Sequence, residues 1–519
     1  MRFPTTGSIL ALSLAAPVFG YPRTGVEKRL AGDPQRAGAV RDTFRISWKG
    51  YYEHAFPNDN LHPVSNGNDN DRNGWGATAI DGLSTAIIMG EAATVNQILK
   101  FVPSINFNTT KSANDGVSVF ETTIRYLGGL LAGYDLLTGP FAYLDIDHSL
   151  VKNLLTQAVN LAESLKVSFD TPSGIPDPTV YLNPTKRNSG SSNNNIAEIG
   201  TLVLEWTRLS DLTHNPLYAQ LAQKGENHLL QPKGQPEAFP GLIGTFVSTK
   251  DGTFLDSSGG WSAYDDSYFE YLIKMYLYDP KAFKLYKDRW VLAADSTIKY
   301  LASHPTTRKD LTFLSSYNGK QTNPNSGHLA SFAGGNFILG GILLGEQKYI
   351  DFGLNLAESY FETYKQSLVG IGPEGFRWVD AALPQGGNNP APPANQADFY
   401  KKAGFWTTSG GYILRPETME SLYYSYRVTG DKKYQDMAWE GYLAINKTCR
   451  AGSAYSSIND VTKPNGGGFS DNMQSFWLAE ALKYMYLIFA DESPVQVQAR
   501  GGNTFVFNTE AHPFRIRQV

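Results

Sequence analysis

Apolar residues recur at helical spacing along almost the whole chain, and the alternation typical of strands is rare. One β-hairpin is predicted, over 246–254, with its turn at Asp251-Gly252. The helical pattern predicts about fourteen helices, at 39–52, 80–89, 91–101, 120–134, 150–165, 196–212, 216–230, 267–277, 280–301, 328–344, 348–364, 417–428, 432–445 and 471–489. The helices come in pairs and no linker divides them, so the sequence predicts one closed all-α barrel.

Two stretches rich in Pro, Gly and Asn interrupt this pattern, at 183–195 and 384–394. Both are predicted to be long surface loops. In a barrel of paired helices, the connections that meet at one end are free to build a site.

The start of the chain has the pattern of a secretory signal peptide over 1–20, with Arg2 followed by an apolar run at 9–16. Lys28-Arg29 is either a processing site that would release 21–29 or an ordinary basic pair. We therefore expect a secreted protein whose catalytic domain occupies 30–519. The sequons at Asn108 and Asn446 are consistent with a glycoprotein.

The composition of the chain argues against a nucleic-acid-binding protein and a membrane protein. A net charge of −4 with 18% charged residues provides no basic surface for nucleic acid, and no second apolar run has transmembrane length. We expect a monomer that binds neither nucleic acid nor membrane. The single cysteine, Cys449, has no partner for an internal disulfide, so it is predicted to be a buried free thiol.

Two carboxylates follow Pro416 at Glu417 and Glu420. Proline is favoured at the start of a helix, so both should lie in the first turn and project from one face. Like charges this close are tolerated where a helix dipole, a cation or a shared proton compensates them. A solvated helix start rich in Glu is the alternative.

Further segments also suggest an acidic site. Glu121 and Arg125 are one turn apart, and Gly128-Gly129 follows them, which indicates close packing against another backbone. Asp266 and Glu270 form a like-charge pair among aromatic residues, and Glu480 follows Phe476 by about one turn. The segment 508–513 offers hard oxygen donors suited to calcium. Each has a structural explanation, but together they predict a buried acidic pocket.

In their order along the chain, these segments resemble the class I α-1,2-mannosidases of glycoside hydrolase family 47, and closely the secreted fungal branch. The resemblance runs from about Phe44 to Pro513. Its motifs are Asn73-Gly74-Trp75-Gly76, Asp81-Gly82-Leu83, 120–134, Ala197-Glu198-Ile199-Gly200, 266–274, Gly372-Pro373-Glu374, 415–421, 480–484 and 508–513. It implies an (α/α)7 barrel, calcium dependence, and removal of terminal α-1,2-linked mannose from high-mannose N-glycans of glycoproteins with inversion.

The resemblance also implies roles for individual residues. Glu121 would be the general acid, acting through a water, and Glu417 the base, with Asp266 as the other candidate. Glu374 would be a further proton donor lining the pocket, and Thr509 would bind the calcium ion directly. Residues implied to contact or surround the sugar are Arg125, Glu198, Glu270, His328, Arg415, Glu420, Phe476, Glu480 and Glu510.

The chain departs from the family where a disulfide is usual, since Ser331 occupies one position and the region around 359–360 has no cysteine. Two other functions remain as alternatives. An (α/α)6 glucan hydrolase would share the barrel, but the calcium segment at 508–513 argues against it. A non-catalytic lectin of the same fold would lack Glu121, Asp266 or Glu417, and all three are present.

Overall fold

The structure, a computed structural model, describes residues 30–112, 114–234 and 237–517. The predicted signal peptide and processing site lie outside these residues. The α-helices are α1 (Pro34–His54), α2 (Ala77–Met89), α3 (Ala92–Phe101), α4 (Val119–Thr122), α5 (Gly128–Leu137), α6 (Lys152–Leu165), α7 (Ile196–Gly200), α8 (Val203–Thr213), α9 (Leu217–Leu230), α10 (Asp266–Tyr278), α11 (Lys284–Ser296), α12 (Ala333–Leu344), α13 (Gln347–Gln366), α14 (Ala397–Ala403), α15 (Glu417–Thr429), α16 (Lys432–Cys449) and α17 (Leu482–Leu487). π-Helical turns occupy Thr123–Leu127, Thr297–Leu301 and Trp477–Ala481.

The helices form two concentric rings. Seven inner units contact one another in order and close on themselves, namely α2, α4–α5, α7–α8, α10, α12, α15, and α17 with the π turn before it. Each packs against an outer helix, which is α3, α6, α9, α11, α13, α16 or α1 respectively. The predicted (α/α)7 barrel is therefore confirmed.

Burial distinguishes the two rings. Every residue of α2 is buried, because an inner helix meets protein on all sides. Outer helices such as α6 and α13 bury one face and expose the other. The close packing predicted at Gly128-Gly129 is present, since a Cβ on Gly129 would lie 2.7 Å from the carbonyl oxygen of Ile80.

The predicted hairpin over 246–254 is confirmed, but other short antiparallel pairs also form. In the hairpin, the Ser248 N–H donates to the carbonyl oxygen of Thr253 at 2.9 Å and Val247 bridges to Phe254, while the first strand also pairs with 193–195. Strands of two to four residues are too short to show alternation in the sequence. The strands are β1 (Asn60–His62), β2 (Gly67–Asp69), β3 (Gly116–Ser118), β4 (Thr179–Tyr181), β5 (Arg187–Asn188), β6 (Asn193–Asn195), β7 (Phe246–Ser248), β8 (Ser258–Gly259), β9 (Ala302–Ser303), β10 (Phe313–Leu314), β11 (Ser316–Asn318), β12 (Gln321–Asn323), β13 (Asn325–Gly327), β14 (Gly375–Arg377), β15 (Trp406–Ser409), β16 (Arg450–Ala451), β17 (Ala454–Tyr455), β18 (Phe505–Phe507) and β19 (Pro513–Arg515).

Some helix boundaries also differ from the prediction. The helix expected from 471 begins only at the π turn of 477–481, since Asp471 has a left-handed backbone with φ of 54°. The helix expected over 196–212 is divided into α7 and α8. Helix α14 was not predicted.

The core confirms the prediction for Cys449, which is buried and free. Ser331, where the resemblance implies a cysteine, is also buried and donates to the carbonyl oxygen of His328 at 2.5 Å. None of the described helices is long and apolar enough to cross a membrane.

Glu226 on α9 is a buried carboxylic acid whose side chain makes no hydrogen bond within the described residues. Neither of its carboxyl oxygens has a hydrogen-bond partner among the described residues, and burial raises its pKa well above the ordinary 4.5. The folded protein therefore holds a proton that the unfolded chain releases near its ordinary pKa. The contribution of Glu226 to the free energy of unfolding therefore falls as pH rises from the ordinary glutamate pKa towards the higher pKa of Glu226 in the folded protein.

Glu226→Gln is expected to gain stability relative to wild type between about pH 5 and about pH 8, because glutamine does not ionise. The gain in the free energy of unfolding is about 1.4 kcal/mol for each pH unit between the unfolded and folded pKa values of Glu226 that the two measurements span. Melting temperatures of both proteins at the two pH values measure it, with the exposed Glu440→Gln as control. A difference between variant and wild type that does not change with pH contradicts the prediction.

Candidate active site

A cavity of ≈450 Å³ opens at the end of the barrel where the inner helices begin. Its wall includes eight carboxylates and two arginines. Twelve of the fourteen residues predicted for the site line it, namely Glu121, Arg125, Glu198, Asp266, Glu270, Arg415, Glu417, Glu420, Phe476, Glu480, Thr509 and Glu510. The predicted acidic pocket is therefore present.

Five of the eight carboxylates reach the cavity because they lie in first turns of inner helices, namely Glu121, Glu198, Asp266, Glu417 and Glu420. Ser118 caps α4 by accepting from the Glu121 backbone N–H at 3.2 Å, and Asn195 caps α7 by accepting from that of Glu198 at 3.0 Å. Glu417 and Glu420 lie in the first turn of α15 after Pro416, as predicted. Helix N-termini favour negative charge, so several helix dipoles converge on this acidic cavity.

Two of the π turns also lie at the cavity. Arg125 belongs to the turn 123–127, and Glu480 to the turn 477–481. A π turn rotates the side chains that follow it relative to a regular α-helix, and such turns are frequent at functional sites. Their presence distinguishes this end of the barrel from an ordinary packed core.

A C-terminal hairpin brings Thr509 and Glu510 into the cavity. Its far end lies at the end of α10, where the Arg517 N–H donates to the carbonyl oxygen of Tyr278 at 3.0 Å. The turn 508–512 is fixed by Asn508, whose side-chain oxygen accepts from the backbone N–H groups of Glu510 (2.9 Å) and His512 (2.7 Å). The hairpin therefore closes the inner end of the cavity.

The imidazole of His512 lies behind this turn, outside the cavity wall. Its Nδ1 is 2.9 Å from the Ser84 hydroxyl, and its Nε2 is 3.3 Å from the Asp81 carboxylate. Lys483 donates to the carbonyl oxygen of Ala511 at 2.6 Å. Burial lowers the pKa of His512 to about 4, so the neutral ring anchors the turn.

Glu121 is held by two arginines. Arg125 Nε donates to its Oε2 at 2.8 Å, and the guanidinium of Arg72 lies 3.9 Å from its Oε1. Although burial acts to raise the pKa of Glu121, the charges of Arg125 and Arg72 outweigh it and lower that pKa. Glu121 is therefore ionised at neutral pH in the free protein. Sequence reasoning did not find Arg72, which lies in a distant loop.

Glu417 is held by His328, which does not line the cavity. His328 Nδ1 lies 2.7 Å from Glu417 Oε2, and its Nε2 lies 2.7 Å from the Tyr364 hydroxyl. The expected contact between His328 and sugar hydroxyls is not supported, because the ring is buried with both nitrogens engaged. Burial acts to raise the pKa of Glu417, but the His328 hydrogen bond and the Arg415 charge lower it overall.

Glu374 also lies behind the wall that it was predicted to line. Arg415 Nε donates to its two carboxyl oxygens at 2.7 and 2.9 Å, and Arg415 itself lines the cavity. Glu374 is therefore placed to orient Arg415.

Other carboxyls have raised pKa values. Burial, with the charges of Glu270 and Glu417, raises the pKa of Asp266 to about 7. Burial raises that of Glu420 to about 8, with smaller contributions from Glu270 and Glu417. The pKa of Glu480 also rises well above its usual range, through burial and neighbouring carboxylates. Burial and the neighbouring carboxylates therefore disfavour the ionised form of these three groups in the free protein.

These residues fit a hard cation. Thr509 presents hydroxyl and carbonyl oxygens beside an excess of carboxylates, and calcium prefers oxygen ligands. Among the described residues, no group of three or more His, Cys, Asp or Glu side chains forms a metal cage by itself. The oxygen donors therefore fit a hard cation in their chemistry, with Thr509 beside the carboxylates.

A model of glycosyl hydrolase family 47 matches residues 43–516. The chain belongs to this family. It is 49% identical over 521 residues to a mannosyl-oligosaccharide α-1,2-mannosidase of Penicillium citrinum, with 99% of both chains covered. It is 53% identical to a probable mannosyl-oligosaccharide α-1,2-mannosidase 1B of Aspergillus clavatus, with 98% of both covered.

Among solved structures, the α-1,2-mannosidase from Trichoderma reesei aligns with a TM-score of 0.92 and 70% identity. The alignment covers 94% of this chain and all of that one. A cellobiose 2-epimerase from Bacillus thermoamylovorans, at 11% identity and a TM-score of 0.52, shares the fold alone. The suspected resemblance to family 47 is confirmed, and this family 47 member is a glycosyl hydrolase. Within the described residues the barrel has seven helix pairs, which argues against the alternative (α/α)6 barrel.

Proposed function

We propose that this family 47 enzyme is a calcium-dependent, inverting exo-α-1,2-mannosidase. It trims terminal α-1,2-linked mannose from high-mannose N-glycans, as a secreted monomer. The observation that best supports this is one cavity lined by Glu121, Asp266 and Glu417 together with Thr509. The printed names of the fungal relatives and of the Trichoderma structure support the linkage.

The shape of the cavity supports removal of terminal sugars. The C-terminal hairpin closes the inner end, so a chain enters from the loop end and stops there. Phe476 lines the cavity with the Arg125 guanidinium 5.6 Å from its ring centroid. An aromatic face beside many carboxylates suits a neutral pyranose, which has an apolar C–H face and a ring of hydroxyls.

Inversion requires a base that activates water and an acid on the opposite side of the bond. Glu417 suits the base, because His328 and Arg415 keep it ionised. We assign Glu121 as the acid acting through a water. It is ionised in the free protein, so this role requires that it gain a proton as substrate displaces solvent. Asp266, whose pKa is about 7, is the competing residue.

Thr509 would hold calcium, with Glu198, Glu420, Glu480 and Glu510 binding waters around it. When bound, the ion would coordinate sugar hydroxyls and offset the negative charge of the cavity. The carboxylates then bind water and sugar in their ionised forms.

Release of free mannose from an α-1,2-linked disaccharide tests the proposed function. The first product is expected to be β-mannose, because a single displacement inverts the anomeric carbon. Proton NMR within the time before mutarotation measures it. An initial α-anomer contradicts the inverting assignment, and no release of mannose contradicts the proposed function.

Tyr264 is expected to make the specificity broad. Family relatives confined to one mannose are expected to have arginine there, whereas tyrosine is uncharged and makes fewer branch-specific hydrogen bonds. Tyr264 lines the cavity, is 58% exposed, and has a left-handed backbone with φ of 76°. Its ring lies 6.0 Å from that of Phe246, so packing against the loop is the alternative role.

We therefore expect all four α-1,2-linked mannoses of the nine-mannose glycan to be removed, leaving the five-mannose form. Timed digestion followed by glycan profiling measures this. Tyr264→Arg is expected to slow the later steps more than the first. Wild type that stops at a single eight-mannose isomer contradicts the specificity argument.

A further inference from the structure

A second cavity, of ≈530 Å³, lies beside the active-site cavity at the same end of the barrel. It is bounded by the end of α13, by the segments around 373, 395–399 and 405–410, and by 460–463. These segments all belong to connections that lead from outer helices to the starts of inner helices. The second cavity therefore belongs to the face from which substrate approaches.

A thin wall separates the two cavities. Pro373 lines the second cavity, and the next residue, Glu374, binds Arg415 of the active-site cavity. The Glu374 backbone N–H also donates to the carbonyl oxygen of Gly411 at 3.0 Å, beside Gly410 of the second cavity. Because Pro373 borders the second cavity and the adjacent Glu374 holds Arg415 of the first, one layer of backbone lies between a ligand in each, and a branched oligosaccharide is large enough to extend past it.

The second cavity has unused hydrogen-bonding capacity. Within the described residues, the side chains of Asn395, Thr408 and Lys463 make no hydrogen bond, and all three are exposed. Asp460 uses only its Oδ1, which accepts from the backbone N–H (2.9 Å) and hydroxyl (2.6 Å) of Thr462. Its Oδ2 remains open to a ligand, so donors and acceptors are available together.

Apolar surface lies beside these polar groups. Phe399 is half-buried, and its ring packs edge-on against Phe405 with centroids 5.3 Å apart. Leu368 is 63% exposed at the margin of the cavity. A partly exposed aromatic ring next to amide, hydroxyl and carboxylate groups suits the C–H face and hydroxyls of a pyranose.

The charged side chains of the second cavity favour a neutral ligand over an anionic one. The second cavity has one carboxylate, Asp460, and one ammonium, Lys463, so these formal charges cancel. A phosphate or an acidic sugar would meet the carboxylate, whereas a neutral polyol pairs with both groups. We propose that the second cavity binds a neutral hexose on another branch of the glycan whose terminal mannose occupies the active site. This inference rests on the proposed function.

The test compares a branched and a minimal substrate, the nine-mannose glycan and an α-1,2-linked mannose disaccharide. Phe399→Ala and the exposed Asn395→Ala are expected to raise KM for the branched glycan about three- to tenfold, the scale of one lost aromatic or polar contact. Kinetics on the disaccharide should not change, because it is too short to span both cavities. Asp351→Ala, in a similar outer cavity near α13, is the matched control.

The outcomes separate this inference from the proposed function. If wild type releases no mannose from the disaccharide, the proposed function fails. If wild type is active but the variants lose activity equally on both substrates, or lose none on the branched glycan, the second cavity does not bind substrate. Melting temperatures of the variants show whether a lower rate reflects unfolding, and Asn395→Ala alters only an exposed side chain.

Discussion

Glu417→Gln is expected to lower turnover by about 10²-fold or more while leaving the fold intact, the usual scale for losing a general base. Glutamine keeps the shape of Glu417 but cannot accept a proton from water. His328 lies 2.7 Å from Oε2 of Glu417 and Arg415 lies 3.5 Å from Oε1, so one of the two keeps an oxygen acceptor when the amide replaces the carboxylate. Steady-state kinetics on the disaccharide measure the effect, with the melting temperature as the folding control.

Glu121→Gln is expected to show a loss of similar size, since Glu121 is assigned as the acid. Asp266→Asn provides the comparison, because its raised pKa also suits an acid. Replacing the residue that supplies the proton should remove the fall in rate at high pH, because that fall reports the ionisation of the general acid. Near-normal turnover in folded Glu121→Gln would transfer the role to Asp266. The exposed Glu440→Gln, far from the cavity, should behave as wild type.

Most of the helical fold was predictable because long helices such as α6 and α13 have a periodic apolar face, whereas the seven-residue α14 is too short to show one. The placement of Glu417 and Glu420 was predictable for a local reason, the proline before them. Ser118 and Asn195 give the same kind of signal, since a capping residue three positions before an acid fixes that acid in the first turn.

Other parts of the site had no local signal. His328 and Glu417 are 89 residues apart, and Arg72 approaches Glu121 from a loop before α2. Only closure of the barrel brings such groups together. His328 and Glu374 were therefore assigned to the cavity wall, although each lies one contact behind it. The short strands were missed because two to four residues contain too little pattern.

Chelation of calcium is expected to abolish activity and lower the melting temperature. The cavity contains eight carboxylates against two arginines, and burial together with neighbouring carboxylates raises the pKa values of Glu420 and Glu480. An ion that binds the folded protein and not the unfolded chain stabilises it by about 2.7 kcal/mol at one hundred times its Kd. Thermal melting and mannose release, each with chelator and after adding calcium back, measure the two effects.

Thr509→Val tests whether the ion is held where we propose, because it removes one oxygen donor and keeps the side-chain shape. The melting temperature should then rise less on adding calcium, and calorimetry should show weaker binding of the ion. Thr504→Val, at an exposed position beside the same hairpin, is the matched control and should bind calcium as wild type does. Full activity in chelator would show that no ion takes part. Unchanged calcium binding by Thr509→Val would instead place the ion elsewhere, because losing a direct oxygen ligand should lower the affinity of the proposed site for calcium.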